Sequence, residues 1–435
     1  MMLLPMALPT SERAAATGQV SHARYITVTL ALTIAVITYI DRVCISQASN
    51  LISKDLGLSR VEMAWAFSVF GWAYALFEIP GGWLADRFGP RRVLTRIVVW
   101  WSFFTAATGW VWNFPSLILT RTLFGAGEAG CFPNITRIFT LWLPRHQRER
   151  AQAGLWLAAR WGGAFTPLLV TWVLGFVSWR RAFEIFGVVG MLWAIVYFSW
   201  FRDDPRTHSS VNAAELATMP PPSESAIVHG ETPWGTIFSR RSIWLLGAQY
   251  SCLSYGWYFY ITWLPSYLRE ARGTSVTMGA FVAGLPLLLG GVGCLISGWT
   301  IPRLARVIGV NLARRIVAIV GFVGASTCII VFTRIPDPIQ AMFVLGLAGL
   351  FNDFVMPAAW AACMDVGGRY SGTVSGSMNM MGNIAGAISP LAVGYLLAST
   401  NNNWALTFYV SATVYSLGAV CWLFIDAVTP IEVSH

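Results

Sequence analysis

Apolar positions in this chain come in long blocks separated by short polar clusters, without the strict alternation of half-buried strands. Twelve blocks are long enough to cross a bilayer. They lie near 25–47, 61–82, 94–112, 115–138, 152–174, 182–201, 242–268, 277–300, 313–333, 337–361, 371–397 and 404–426, and are called spans 1 to 12. The pattern predicts an all-α membrane protein of twelve transmembrane helices. The longest polar connection, 202–241, divides six spans from six. It carries Pro220, Pro221 and Pro222, then Ser223 and Ser225, a linker composition. The expected organisation is a tail at 1–23, a six-helix bundle at 24–201, a linker at 202–241, a second six-helix bundle at 242–427 and a tail at 428–435.

The two sets of six echo each other. Gly163-Ala-Phe-Thr-Pro167 in span 5 matches Gly386-Ala-Ile-Ser-Pro390 in span 11. Gly82-Trp83 with Arg87 matches Gly298-Trp299 with Arg303, and Trp179 with Phe183 matches Trp404 with Phe408. The offsets are 223, 216 and 225 residues. Parallel six-span repeats place a substrate site at their interface, near the midplane. Gly372-x-x-x-Gly376 and Gly382-x-x-x-Gly386 in span 11 are expected to let helices approach closely.

Composition fits this picture. The chain is 56% hydrophobic and 11% charged, against about 25% charge in a typical soluble protein. Its net charge of +9 raises the question of nucleic acid, but the distribution answers it. The even-numbered connections and both tails hold 19 of the 29 basic residues. The opposite connections hold 7, and Arg42, Arg121 and Arg160 lie within spans. Such an excess marks the cytoplasmic side, so both termini are expected inside. The N-terminal stretch lacks a basic region ahead of its apolar run and reads as a cytoplasmic tail rather than a cleaved signal. The seven cysteines stand singly and the five histidines fall in loops or tails. No metal site, disulfide framework or cofactor is implied.

The charged residues inside spans carry the chemistry, because charge at membrane depth is costly. Arg121 and Glu128 are seven residues apart in span 4, about two turns, so both share one face with Gly125 between them. They suggest an anionic cargo coupled to protons; the alternative is an ion pair that locks helices. Counting helical rise puts Asp41, Arg42 and Arg121 at one level toward the outer end. Glu128 comes about 10 Å deeper, level with Tyr74, Arg160 and Asn383. All three intramembrane arginines belong to the first half. The second half offers Tyr255, Tyr258, Tyr260, Trp263, Asn352, Asn379 and Asn383. The expectation is that the first half grips charge and the second reads hydroxyls, with interface packing as the alternative for the tyrosines and Trp263. Asp353 in span 10 is a second candidate carboxylate for proton coupling, and Glu78 reads as structural.

Between spans 2 and 3 stands Gly82-Trp-Leu-Ala-Asp86-Arg87-Phe-Gly89-Pro-Arg91-Arg92. It resembles the signature loop of the major facilitator superfamily, with Gly82 for close helix contact, Asp86 for pairing and the arginines as inner-surface anchors. The second copy has Pro302 where Asp86 would align, so a charge lock on one side only is expected. Tyr39-Ile-Asp41-Arg42, Phe70-Gly-Trp-Ala-Tyr74 and Arg121-x3-Gly125-x2-Glu128 resemble the anion:cation symporter family, over residues 24–427. The resemblance implies a cell inner-membrane symporter that takes up an organic anion, such as a sugar acid or sulfonate, with protons. It carries the family's Tyr-Asp-Arg positions to Tyr39, Asp41 and Arg42, and its span-4 pair to Arg121 and Glu128. Substrate contacts are expected at Tyr39, Arg42, Tyr74, Arg121, Arg160, Tyr258, Asn379 and Asn383, and proton coupling at Asp41, Glu128 and Asp353.

Arg160 departs from many sugar-acid members, which have a neutral polar residue there. It is expected either to bind a second anionic group of the substrate or to be neutralised by Glu128. A monomer in lipid with no nucleic-acid partner is expected. The rival readings are an exporter or antiporter on the same fold, a transporter-like nutrient receptor, and an integral-membrane enzyme. The last lacks a metal cluster or a nucleophile with its base.

Overall fold

The computed structural model describes residues 20–220, 231–270 and 284–431, and within them every regular element is helical. The expected tail segments 1–19 and 432–435, the linker residues 221–230 and the first residues of span 8 (277–283) lie outside the described residues.

The twelve blocks become twelve crossings. Spans 1, 2 and 3 are Ala23–Leu56, Arg60–Phe88 and Pro90–Thr108. Span 4 is two helices, Phe114–Glu128 and Cys131–Trp142. Spans 5 to 9 are Arg145–Leu174, Trp179–Trp200, Arg241–Glu270, Leu285–Ile308 and Val310–Phe332. Span 10 is again two helices, Pro338–Phe354 and Met356–Gly367. Spans 11 and 12 are Ser371–Ser399 and Trp404–Phe424. Among the described residues, seven stretches are long and apolar enough to cross a membrane by themselves.

Local chemistry sets the ends. Ser59 and Glu62 form a reciprocal capping box at the start of span 2, and Asn113 with Ser116 does so at span 4. Gly57, at φ 64°, closes span 1 in the left-handed region that glycine adopts without strain. The span 1 helix runs nine residues past the apolar block because its polar last turns emerge from the bundle while this glycine cap still lies ahead.

Both breaks depart from the expected continuous spans. After Glu128 the chain passes through Ala129 in an extended conformation and Gly130 at φ 82°. A side chain at Gly130 would collide with the backbone of Gly81 in span 2. The span 10 break is milder: it follows Phe354, with Val355 still at helical angles.

Within each half, span 1 packs on span 5, span 3 on span 6, span 7 on span 11 and span 9 on span 12. Two seams join the halves: span 2 against span 11, and span 5 against span 8. The first is a backbone contact. Gly82 and Gly372 meet main chain to main chain, and Gly376 lies on the carbonyl of Glu78. Gly382 and Gly386 instead receive the rings of Tyr250 and Tyr258 from span 7. Large apolar side chains such as Leu168, Trp172, Ile195 and Leu417 stay exposed, as a lipid-facing surface requires.

The linker contributes more than a tether. Asn212 caps a short helix, Ala213–Leu216, whose Glu215 accepts hydrogen bonds from Ser21 Oγ (2.5 Å) and from the backbone N–H groups of Ala23 and Arg24 (3.2 Å each). It thereby satisfies the open N-terminus of span 1. The face that carries this contact is called the linker face.

Candidate functional site

A cavity of about 80 Å³ lies between the halves. Spans 1, 2, 4 and 5 contribute Tyr39, Arg42, Tyr74, Phe132, Trp156 and Arg160. Spans 7, 10 and 11 contribute Tyr250, Trp257, Tyr258, Asn352, Asn379 and Asn383, with Leu253, Ser254 and Met356 between them.

The first half supplies one acid–base pair. Glu128 is the last residue before the span 4 break and is fully buried. Arg42 Nε donates to its Oε1 at 2.6 Å, and the guanidinium lies 4.4 Å from the Tyr74 ring centroid. Among the described residues, buried Arg42 Nη2 and Glu128 Oε2 have no hydrogen-bond partner. A charged donor and a charged acceptor therefore remain unsatisfied beside the cavity, a costly arrangement that a bound anion and a proton would relieve.

This geometry corrects the expected outer tier. Arg42 does not stay level with Asp41 and Arg121 but reaches to the central tier. Arg121 does not line the cavity. It is 2% exposed, with its guanidinium 4.6 Å from the Phe124 centroid and 5.1 Å from that of Phe70. Asp41 is 1% exposed and faces Trp101 and Thr105 of span 3.

Arg160 also differs from expectation. Its partner is Asp353, not Glu128: Nε donates to Oδ2 at 2.5 Å and Nη2 to Oδ1 at 2.8 Å. Span 5 faces span 8 across a seam, and span 10 packs behind span 8, so Arg160 meets the second half's carboxylate first. Trp257 stacks on the guanidinium, 3.8 Å from ring centroid to Cζ. Tyr39 stands between the two arginines: its hydroxyl accepts from Arg160 at 3.4 Å, and its ring is 5.9 Å from the Arg42 Cζ.

The second half provides a neutral polar wall. Tyr258 donates to Asn383 (3.3 Å), and Asn383 donates to the Asn379 carbonyl (2.8 Å). Asn379 donates to Glu78 at 2.7 Å and contacts the Tyr74 hydroxyl at 3.4 Å. Glu78 is fully buried in the seam, where Gly376 lies on its carbonyl. Tyr255 and Trp263 do not line the cavity; Trp263 donates to the Pro390 carbonyl. The side chain of Tyr260 lies outside the described residues. Sequence reading missed Trp257 and Tyr250. The signal was there: Tyr250, Ser254, Trp257 and Tyr258 recur at i, i+4, i+7 and i+8, one face of span 7.

The linker face is closed beneath the cavity. Asp86 accepts from the backbone N–H groups of Gly372 (2.9 Å) and Thr373 (2.7 Å) and from the Thr373 hydroxyl (2.7 Å), which caps span 11. Arg137 lies 3.6 Å from Asp86 and donates to the Gly368 carbonyl. The expectation of a one-sided lock is wrong. Despite Pro302, a second lock forms from Arg148 with Asp365, and from Arg314 with Glu149 (2.7 Å) and Asp365 (2.6 Å). Spans 5, 9 and 10 supply the charges that span 8 lacks. Of the remaining motif residues, Gly89 turns the chain at φ 82°, and Arg87 lies over Trp83. The Arg91 N–H donates to Asp203, whose carboxyl burial raises above its usual range, and Arg92 is exposed. The locked side chains are 0–3% exposed, whereas Arg42 keeps 22%.

Among the described residues, no cluster of three or more His, Cys, Asp or Glu could hold a metal. The profile of the Major Facilitator Superfamily matches residues 31–390. The chain belongs to the major facilitator superfamily. It is 36% identical over 405 residues to a probable sulfoacetate transporter of Cupriavidus necator, covering 91% of this chain and 92% of that protein. It is 32% identical to a D-galactonate transporter of Escherichia coli, covering 92% and 95%. Among solved structures it resembles a proton:xylose symporter, XylE, with a TM-score of 0.75 at 13% identity over 93% of this chain and 97% of the other. The human organic anion transporter MFSD10 gives 0.68 at 14%, over 95% and 100%. These relatives agree with the anion:cation symporter resemblance, and the family is one of multi-pass membrane transporters, not enzymes.

Proposed function

We propose that this transporter moves an organic anion inward together with protons by alternating access. The observation that supports it most is the Arg42–Glu128 pair at the cavity, with its unpartnered donor and acceptor. An anion arriving from the face opposite the linker takes Arg42, whose planar fork suits a carboxylate or sulfonate. Glu128 then loses its counter-ion inside a low-dielectric site, and a proton neutralises it. Tyr39, Tyr74, Tyr258, Asn379 and Asn383 orient the cargo's hydroxyls. Asp41 is a further proton site, and Arg121 tunes Glu128 from behind the wall.

With charge balanced, the bundles at 24–201 and 242–427 rock about the cavity, tied by the linker at 202–241. The linker-face locks of Asp86 and Asp365 then open. Leaving one member of a buried pair alone costs about 3–5 kcal/mol, so opening requires the partners to separate into water. In this reading the linker face is cytoplasmic, the membrane is the cell inner membrane and the unit is a monomer.

The test is uptake into proteoliposomes of sulfoacetate, D-galactonate and D-glucarate under an imposed pH gradient, acid outside. Accumulation above equilibrium that collapses with a protonophore is expected for at least one. Accumulation driven only by outward proton flow would make the protein an exporter or antiporter.

A further inference from the structure

Two carboxylates stand at equivalent places in the two halves. Asp353 lies 225 residues after Glu128, the offset that also relates Trp179 to Trp404. Each sits at or just before the break of its span. Each holds an arginine that lines the same cavity. We propose that Arg160–Asp353 is a second, substrate-gated coupling site: it takes the second anionic group of a dianion and binds one additional proton for it. This rests on the proposed Arg42–Glu128 mechanism and adds the substrate's valence to it.

The argument is one of charge. In the empty cavity Arg42 faces Glu128 and Arg160 faces Asp353, so the two pairs sum to zero. A monoanion takes Arg42, and one proton on Glu128 restores the balance, with Arg160–Asp353 intact. A dianion whose second group reaches Arg160 displaces Asp353 from it. Asp353 is fully buried, and an uncompensated buried carboxylate is costly. A proton entering from the cavity side binds one Asp353 oxygen and returns the site to zero. Two anionic groups then face two arginines, and two protons ride on two acids.

Among the described residues, the surroundings offer no substitute cation. The titratable groups near Asp353 are Arg160 from span 5 and Cys294 from span 8, with Tyr415 of span 12 one hydrogen bond further through Asn352. Span 9 presents Gly321 and Gly324 to this part of span 10. Span 7 contributes Trp257, which keeps the guanidinium in place over its ring when Asp353 lets go. Tyr39, in reach of both arginines, spaces the two anion positions. A dianion with an anionic group at each end, such as a sulfocarboxylate or an aldaric acid, is the chemical class that two arginines on one cavity would take.

The experiment counts protons per molecule. Purified protein in proteoliposomes is given sulfoacetate or D-glucarate as dianion and D-galactonate as monoanion, and proton flux is measured beside substrate flux. One proton more per dianion than per monoanion is expected in the wild type, and that extra proton is lost in Asp353→Asn, so that dianion entry becomes charge-moving in the variant. Equal counts for dianion and monoanion in the wild type overturn the inference, as does an extra proton that persists in Asp353→Asn. If the variant does not fold, the wild-type difference between the two counts decides alone. No proton flux with any substrate would instead overturn the underlying symport reading.

Discussion

Arg42–Glu128 and Arg160–Asp353 are similar pairs placed differently. The first joins spans 1 and 4 within one half, and the second joins span 5 to span 10 across the two halves. A pair inside one half travels with it when the halves move and changes only when cargo or a proton arrives. A pair across the halves also reports their separation, because moving them apart stretches it. In the proposed mechanism the repeat supplies equivalent acid positions, and the choice of arginine partner gives one a purely chemical role and the other a conformational one as well.

The largest expected effect breaks the pair within the half. Glu128→Gln should abolish accumulation driven by a pH gradient while leaving exchange of labelled for unlabelled substrate, read by counterflow. Continued accumulation in that variant would move the coupling role to Asp41.

The next prediction sets the two breaks apart. Gly130→Ala forces an alanine to φ near +82°, a strain of about 1–3 kcal/mol, and drives its Cβ into Gly81. A clear fall in thermal stability is expected. Val355→Ala at the other break, where the backbone is helical, should leave the break intact. Equal losses in melting temperature would show that the breaks are held alike.

Arginine geometry comes third. Arg42→Lys keeps the charge but loses the fork, and about 1.5–3 kcal/mol for charged hydrogen bonds means roughly 10- to 100-fold weaker binding. Arg121→Lys should cost less in a binding titration, since Arg121 is off the cavity wall. A reversed order would return the anion to Arg121.

The smallest effect concerns the cross-half pair. Trp257→Phe weakens a cation–π contact worth about 0.5–2 kcal/mol, so dianion affinity should fall a few-fold at most. An effect on dianions no larger than on monoanions would separate Trp257 from the second anion position.

Much of this was legible in the sequence because bilayer crossing leaves a direct trace in apolar block length. The Gly372 and Gly376 contacts were also readable, since a glycine pair one turn apart in a span has few other uses. Pairing was not. Depth counting put Glu128, Arg160 and Tyr74 at one level, and Tyr74 and Arg160 line one cavity, but it carries no information about which way each helix is turned. Arg160 was expected against Glu128 or a substrate anion, and only the packing of spans 5, 8 and 10 selects Asp353. The second lock was missed for a related reason. The aligned position holds Pro302, and the charges that replace it come from three other spans with no common motif. The break at Gly130 was hidden because a glycine that permits packing and one that needs a positive φ look the same in a sequence.

The contact of Gly81 with Gly130 has a consequence for how such a protein can change over time. The joint beside Glu128 is main chain against main chain, bridged by the Asn134 side-chain amide, which donates to the Gly130 carbonyl at 2.7 Å and to the Gly81 carbonyl at 3.2 Å, and no cavity-wall side chain takes part in it. Substitutions along the cavity wall at Tyr39, Trp156, Trp257 or Asn383 can therefore alter which cargo is accepted without moving the residue assigned to the proton. Cargo preference can drift among relatives while the coupling position stays put, because the two depend on different parts of the polymer.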